Sequence, residues 1–250
     1  MISAGEIYDY IDSIAPFSTA MSFDNVGLLI GSRSTVSETV MLSLDVTSEV
    51  IEEAVSRGAK IILTHHPVIF NPLKSLKTDS IPYLAVKNDI TVISAHTNLD
   101  IAVGGVNDTL AEALGIISEN HTNEDCQLFG ELAEETDVRS FALKIKGILS
   151  CGGLRYTERK GTIQKAAVAC GAGGSGIFAA AEYGAHALIT GEIKHHEILF
   201  AAENNIAVFD LGHFHSEDLI ITKLAKLLSG KFPGTQFEKA DSDTDKVLYI

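Results

Sequence analysis

A chain of 250 residues is long enough for one large α/β domain or two small ones. Its 46% hydrophobic and 21% charged content is that of an ordinary soluble globular protein. A net charge of -14 argues against indiscriminate binding to nucleic acid or anionic membrane, a local basic patch around Arg155, Arg159 and Lys160 being the one exception.

Met1–Glu6 lacks a basic n-region, so no signal peptide is visible. Ser3-x-x-Glu6 is a capping box, followed on one helical face by Ile7, Ile11 and Ile14, and the helix ends before Pro16. Phe23 to Gly31 reads as a turn leading into an apolar strand; in the turn Asp24 and Asn25 most simply bond their own backbone, a functional role being the second reading. Val40–Leu44 is a strand, Val50–Val55 a helix capped by Gly58, and Ile61–Thr64 a second strand with His65 and His66 at its end. Strand, helix and strand joined by short connections imply parallel pairing.

Pro72 and Pro82 flank a loop and a short helix ending near Lys87. Strand Ile90–Ala95 leads to His96 and Asp100, and a helix follows from about Val106 to Leu114. Between Ser118 and Asp125 the chain turns polar, which predicts a domain boundary. A helix near Val138–Leu149 and a Gly-rich hairpin come next. Strand Lys165–Cys170 runs into Gly171–Gly176 and an Ala-rich helix, and strand Ala185–Thr190 into Gly191, Glu192, His195 and His196. The run Ala166–Ala181 is uncharged but too short and too rich in glycine for a membrane span. A helix over Glu197–Asn204, strand Ile206–Phe209, a final helix through Leu219–Leu227 and an edge strand at Lys246–Ile250 complete the chain.

The fold class is therefore α/β: two domains with mostly parallel sheets, helices packed on them and a metal site at the strand C-terminal ends. Residues 1–123 and 208–250 form the metal-binding domain, and 124–207 a second domain with the Gly-rich loop. Cys126, Cys151 and Cys170 are odd in number with no C-x-x-C spacing, which reads as reduced thiols of a cytoplasmic protein.

Three strand ends carry His or carboxylate groups: His65-His66, His96 with Asp100, and His213 with His215 and Glu217. In an α/β sheet such ends border the ligand crevice. Imidazole and carboxylate are donors accepted by zinc, iron, manganese and nickel. In extended backbone the side chains of His65 and His66 point apart, which suits two ions better than one. His213 and Glu217, like His96 and Asp100, are four apart and share a face at a helix start. Glu217, with two oxygens, is the choice for a bridge between ions. Water held between two cations is acidified, so hydrolysis or water addition follows, with His96, His195 or His196 moving protons. A polar helix start is an equal reading for His195 and His196.

Gly171–Gly176 also matches G-x-G-x-x-G, with Glu192 where a dinucleotide fold places its ribose-binding acid. The competing readings are a tight strand-to-helix turn, and amides at Gly173, Gly174 and Ser175 that bind a substrate phosphate.

Asp24-Asn25-Val26-Gly27-Leu28, Thr64-His65-His66-Pro67, His96-Thr97-Asn98-Leu99-Asp100, Thr190-Gly191-Glu192 and Gly212-His213-x-x-Ser216-Glu217 occur in this order. Over nearly its whole length the chain resembles the Nif-three-like family of dinuclear metal proteins, often named type-2 GTP cyclohydrolase I. That resemblance implies two α/β domains, a toroidal homohexamer and two divalent ions per subunit. By motif it implies the ligands His65, His66, Asp100, His213 and Glu217, with His96 outside the first shell and His215 at a variable position. It also implies the short family form, without the inserted domain of longer members. The expected function is a dinuclear-metal-dependent hydrolase, GTP cyclohydrolase-like or acting on another nucleotide or phosphorylated small molecule through hydroxide. The alternatives are a non-catalytic metal-binding scaffold or regulatory partner, and a dinucleotide-binding module.

Overall fold

The computed structural model describes residues 1–122 and 126–250. Two compact units make up the chain: Met1–Val103 with Ile220–Thr244, and Gly104–Leu219 with Asp245–Ile250.

In the first unit, the expected helix spans Ala4–Ile14 and its capping box is made in both directions. Ile7 and Ile11 are fully buried by it. A five-stranded sheet runs in the order Gln236–Lys239, Thr39–Ser43, Ile61–Thr64, Thr91–Ser94, Gly27–Ile30. The first four strands are parallel, and Gly27–Ile30 joins antiparallel to Thr91–Ser94. Every residue of the three central strands is buried, as expected of parallel strands covered on both faces. Helices Ser48–Ser56 and Ile81–Lys87 supply Val50, Ile51, Ala54 and Ala85 to a core with Met41, Ile62 and Val92. Parallel register pairs Thr64 with Ser94, so the residues that follow, His65 and Ala95, leave the sheet level with each other.

The second unit has a six-stranded sheet ordered Ile116–Thr122, Gln127–Thr136, Ile163–Ala169, Ala187–Thr190, Ala207–Asp210, Arg155–Tyr156. Only the pairings of Ile163–Ala169 with Ala187–Thr190, and of that strand with Ala207–Asp210, are parallel. The α/β class holds, but this sheet is mixed rather than mostly parallel. Helix Val138–Leu149 buries Phe141 and Ile145 against it, with Phe141 edge-on to Phe209 at 5.2 Å.

Several segments differ from expectation. The polar stretch read as a boundary overlaps strand Ile116–Thr122, an edge strand antiparallel to Gln127–Thr136. The polar positions of Ile116–Thr122 are partly solvated because one side of the strand has no neighbour. Residues 123–125, where one domain cut was expected, lie outside the described residues.

The units divide at 103/104 and 219/220 instead of 123/124 and 207/208. Helix Val106–Leu114 belongs to the second unit because Leu110, Ala111 and Leu114 enter its core. Ala207–Asp210 belongs there because it is bonded into that sheet. The Gly-rich hairpin is instead a two-residue strand, Arg155–Tyr156, paired to Ala207–Asp210. Lys246–Ile250 forms no strand, and the closing edge is Gln236–Lys239. Tyr249 lies flat on Gly152 and Gly153, where any Cβ would meet its ring within 3.0 Å. Among the described residues no helix is long and apolar enough to cross a membrane, and the cysteines form no disulfide.

Candidate functional site

The first unit gathers His65, His66 and His96 just beyond adjacent parallel strands. One donor nitrogen of each lies within 4.8 Å of the others. Three chain contacts hold the backbone there. His65 N–H donates to Ser43 O at 3.1 Å, Ser94 Oγ to His65 O at 2.8 Å, and His96 N–H to Asn98 Oδ1 at 3.0 Å. Asn98 is itself anchored by donation to Ala15 O at 2.7 Å, so the first helix fixes the turn that carries His96.

Each imidazole turns its Nδ1 toward an oxygen. His65 Nδ1 lies 2.8 Å from Ala95 O, His66 Nδ1 3.0 Å from Asp45 Oδ1, and His96 Nδ1 2.9 Å from Asp24 Oδ1. A carbonyl or ionised carboxylate can only accept, so Nδ1 carries a proton, and Nε2 is the nitrogen left to face a metal ion. Asp24 is ionised at neutral pH. Burial of its carboxyl opposes ionisation, but hydrogen bonds from His96 and from the Thr97 side chain and amide outweigh it and bring its pKa down to about 2. His65 Nε2 faces Asp100 Oδ1 at 3.4 Å.

The second unit repeats the device. Strand Ala207–Asp210 ends in Gly212, whose φ of 80° turns the chain into the short helix His213–Glu217. There His213 Nδ1 lies 2.7 Å from Glu192 Oε1, and His213 Nε2 faces Glu217 Oε2 at 3.3 Å across one helical turn. Glu217 is buried. Two glycines make room for this helix. A Cβ on Gly171 would sit 2.2 Å from Glu217 Oε1, and one on Gly191 would sit 2.6 Å from Ser216 Oγ. Ser216 Oγ ties the arrangement together, accepting from Gly171 N–H at 2.9 Å and donating to His213 O at 2.8 Å.

These sets fit divalent cations. In both, an imidazole nitrogen faces a carboxylate oxygen at 3.4 and 3.3 Å, donor types that a divalent cation accepts. Outer oxygens fix each ring's tautomer, the usual support of a metal-bound histidine.

Among the expected residues, His65, His66, His96 and Asp100 are thus brought together in one unit, and His213 with Glu217 in the other. His215 turns away and pairs with Asp245 at 3.1 Å. His195 and His196 are exposed at the start of helix His195–Glu203, and no group of donors within metal-binding distance includes them among the described residues.

The Gly171–Gly176 segment is a tight turn with a 3-10 core before helix Ile177–Tyr183. Gly174 packs so closely that a Cβ would lie 2.6 Å from both Glu192 O and Glu197 Oε2. Gly174 and Ser175 line a cavity of about 150 Å³ with Ala172, Glu192, Lys194 and Glu197. Glu192, the candidate ribose acid of a dinucleotide fold, is instead engaged by His213.

Sequence reasoning assigned Asp24 to a self-bonded turn and overlooked Asp45. Asp24 does bond the Asn25 amide at 2.7 Å, yet the same carboxylate also holds His96 and Thr97. Asp45 was findable, since it stands two residues beyond strand Thr39–Ser43, at the same sheet edge as the histidines.

A family model described as Duf34/NIF3 (NGG1p interacting factor 3) matches residues 2–246. The chain belongs to this family. It is 34% identical to a Clostridium perfringens protein named GTP cyclohydrolase 1 type 2 homolog, over 97% of this chain and 94% of that one. A Clostridium acetobutylicum protein of the same name is 32% identical over 90% of this chain and 89% of its own. Among solved structures, the Staphylococcus aureus hypothetical protein SA1388 superposes with a TM-score of 0.89 at 27% identity, covering 100% of this chain and 99% of its own. Such agreement over both units identifies the fold as that of the NIF3 proteins.

Proposed function

We propose that this NIF3 protein is a metal-dependent hydrolase. In this reading His65, His66 and Asp100 of the first unit and His213 and Glu217 of the second bind two divalent cations per subunit, of zinc, iron, manganese or nickel. One observation supports it above others: the same design occurs in both units, a histidine with Nδ1 bonded to an oxygen and Nε2 turned on a carboxylate at 3.4 and 3.3 Å. When bound, such cations acidify water and polarise an electrophilic carbon.

The remaining residues have roles that follow from their own contacts. Asp24 keeps His96 oriented with Nδ1 protonated, so Nε2 can accept a proton and return it, an imidazole steadied by a carboxylate. Lys194 and Ser175 line the cavity at Gly174, residue types that suit a phosphate, beside the carboxylates of Glu192 and Glu197. His195 and His196 open the adjacent helix and can exchange protons with a molecule there.

The substrate class is a nucleotide or phosphorylated small molecule, and the reaction suggested by the relatives' name is opening of the GTP imidazole ring. The short family form, a toroidal homohexamer and a cytoplasmic setting rest on family likeness and on cysteines without a disulfide. Metal analysis before and after chelation, with GTP turnover measured in each state, tests the proposal. Turnover should vanish with the metal and return on reloading, and His65→Ala and Glu217→Gln should lack both. Full turnover by metal-free protein would exclude it. Metal binding without turnover of any nucleotide leaves a metal-binding scaffold.

A further inference from the structure

At the N-terminal edge of the parallel strands in the second unit, the edge opposite His213 and Glu217, lies a cavity of about 200 Å³. Arg159, Ala181, His186, Asn204 and Asn205 are among its walls. We propose that it binds a small oxyanion between the Arg159 guanidinium and the His186 imidazole.

His186 is set up as a donor. Its Nδ1 accepts the backbone N–H of Gln164 at 3.1 Å and of Lys165 at 3.4 Å, so the ring proton is on Nε2. Burial first, then the charges of Arg159 and Lys165, lower its pKa against the opposing pull of Glu135 and Glu131. The ring is therefore a neutral N–H donor at pH 7.

Arg159 is set up as the charge. Asn205, with φ of 57°, clamps its loop: Arg159 Nε donates to Asn205 O at 3.1 Å, Lys160 N–H to Asn205 Oδ1 at 2.7 Å, and Asn205 Nδ2 to Lys160 O at 3.2 Å. Only Nε is used among the described residues, which leaves the Nη fork to a ligand. Among the described residues no carboxylate pairs with Arg159, and burial alone lowers its pKa. A half-buried guanidinium without a counter-charge, beside an N–H donor and a cavity, is the chemistry that binds phosphate or carboxylate. The volume is below the roughly 300–1,000 Å³ of pockets for drug-sized ligands, which selects a small ion or the charged end of a larger molecule.

The test is isothermal titration of chelator-treated protein with inorganic phosphate and, separately, acetate, at ionic strength held constant with chloride. One saturable site per chain is expected for at least one of the two, and the tighter arm tells tetrahedral from planar ligands. Arg159→Gln should weaken it at least tenfold. Ala181→Glu, which puts a carboxylate in the cavity and leaves both donor residues in the sequence, should abolish it and covers the case in which the arginine variant misfolds. No saturable binding by the wild-type protein overturns the proposal, as does undiminished binding by either variant that folds.

Discussion

His65 Nε2 stands 3.4 Å from Asp100 Oδ1 while its Nδ1 is bound to the Ala95 carbonyl. The carbonyl holds a proton on Nδ1, so Nε2 is the nitrogen turned toward the carboxylate. His213 repeats the relationship with Glu192 and Glu217. Each unit thus sets an imidazole nitrogen against a carboxylate oxygen, the two donor types a divalent cation accepts.

Glu192 is exposed and its carboxylate is bonded to His213 Nδ1, so Glu192→Gln separates tuning of the metal from folding. Loss of such an outer carboxylate should weaken metal binding by about 10–100-fold. The unfolding free energy of the metal-free protein should change by less than about 0.5 kcal/mol, as for other surface substitutions. Competition with a chromogenic chelator and a denaturant titration check the two halves, and wild-type metal affinity in the variant would contradict the role given to Glu192.

Gly171→Ala combines two faults. Its φ of 57° disfavours any Cβ, and that Cβ would collide with Glu217 Oε1. The expected cost is about 1–3 kcal/mol of stability. Metal content should fall as well, because Glu217 must move. Gly184→Ala is the control: it has a comparable φ of 77° but nothing within 4 Å of the added atom. It should lose stability while keeping its metal, and equal metal loss in both variants would refute the specific contact.

Asp24 gives a pH dependence with a definite sign. Its folded pKa of about 2 lies below the ordinary 3.8, so its contribution is complete above about pH 4 and is lost as pH falls toward 2. The size is about 2.5 kcal/mol at most, from about 1.4 kcal/mol per unit. Asp24→Asn should remove that part of the acid slope in the metal-free protein while lowering stability at pH 6. Unfolding free energies at pH 6, 4 and 3 test it, and an unchanged slope would show that Asp24 is not the group responsible.

Much of the architecture was legible in local pattern. The capping box at Ser3 and Glu6, the branched runs Ile61–Thr64 and Thr91–Ser94, and the Gly171–Gly176 turn all state their own conformation through side-chain period, branching and missing Cβ atoms. Ile116–Thr122 did not, since an edge strand with polar side chains draws its order from Gln127–Thr136, a partner that no window of sequence contains. Lys246–Ile250 misled in the opposite way: a run with strand-like residues finds no strand to bond, and Tyr249 settles on two glycines almost a hundred positions earlier.

The sequence alone determined which residue types stand at strand ends, and so that imidazole and carboxylate chemistry is concentrated there. Only the tertiary structure decided what each ring nitrogen does. Parallel register brings Ala95 level with His65, and the turn before Gly27 places Asp24 against His96. Tautomers depend on which oxygen lies within about 3 Å of a ring nitrogen, and that distance is set by packing between segments far apart in the chain.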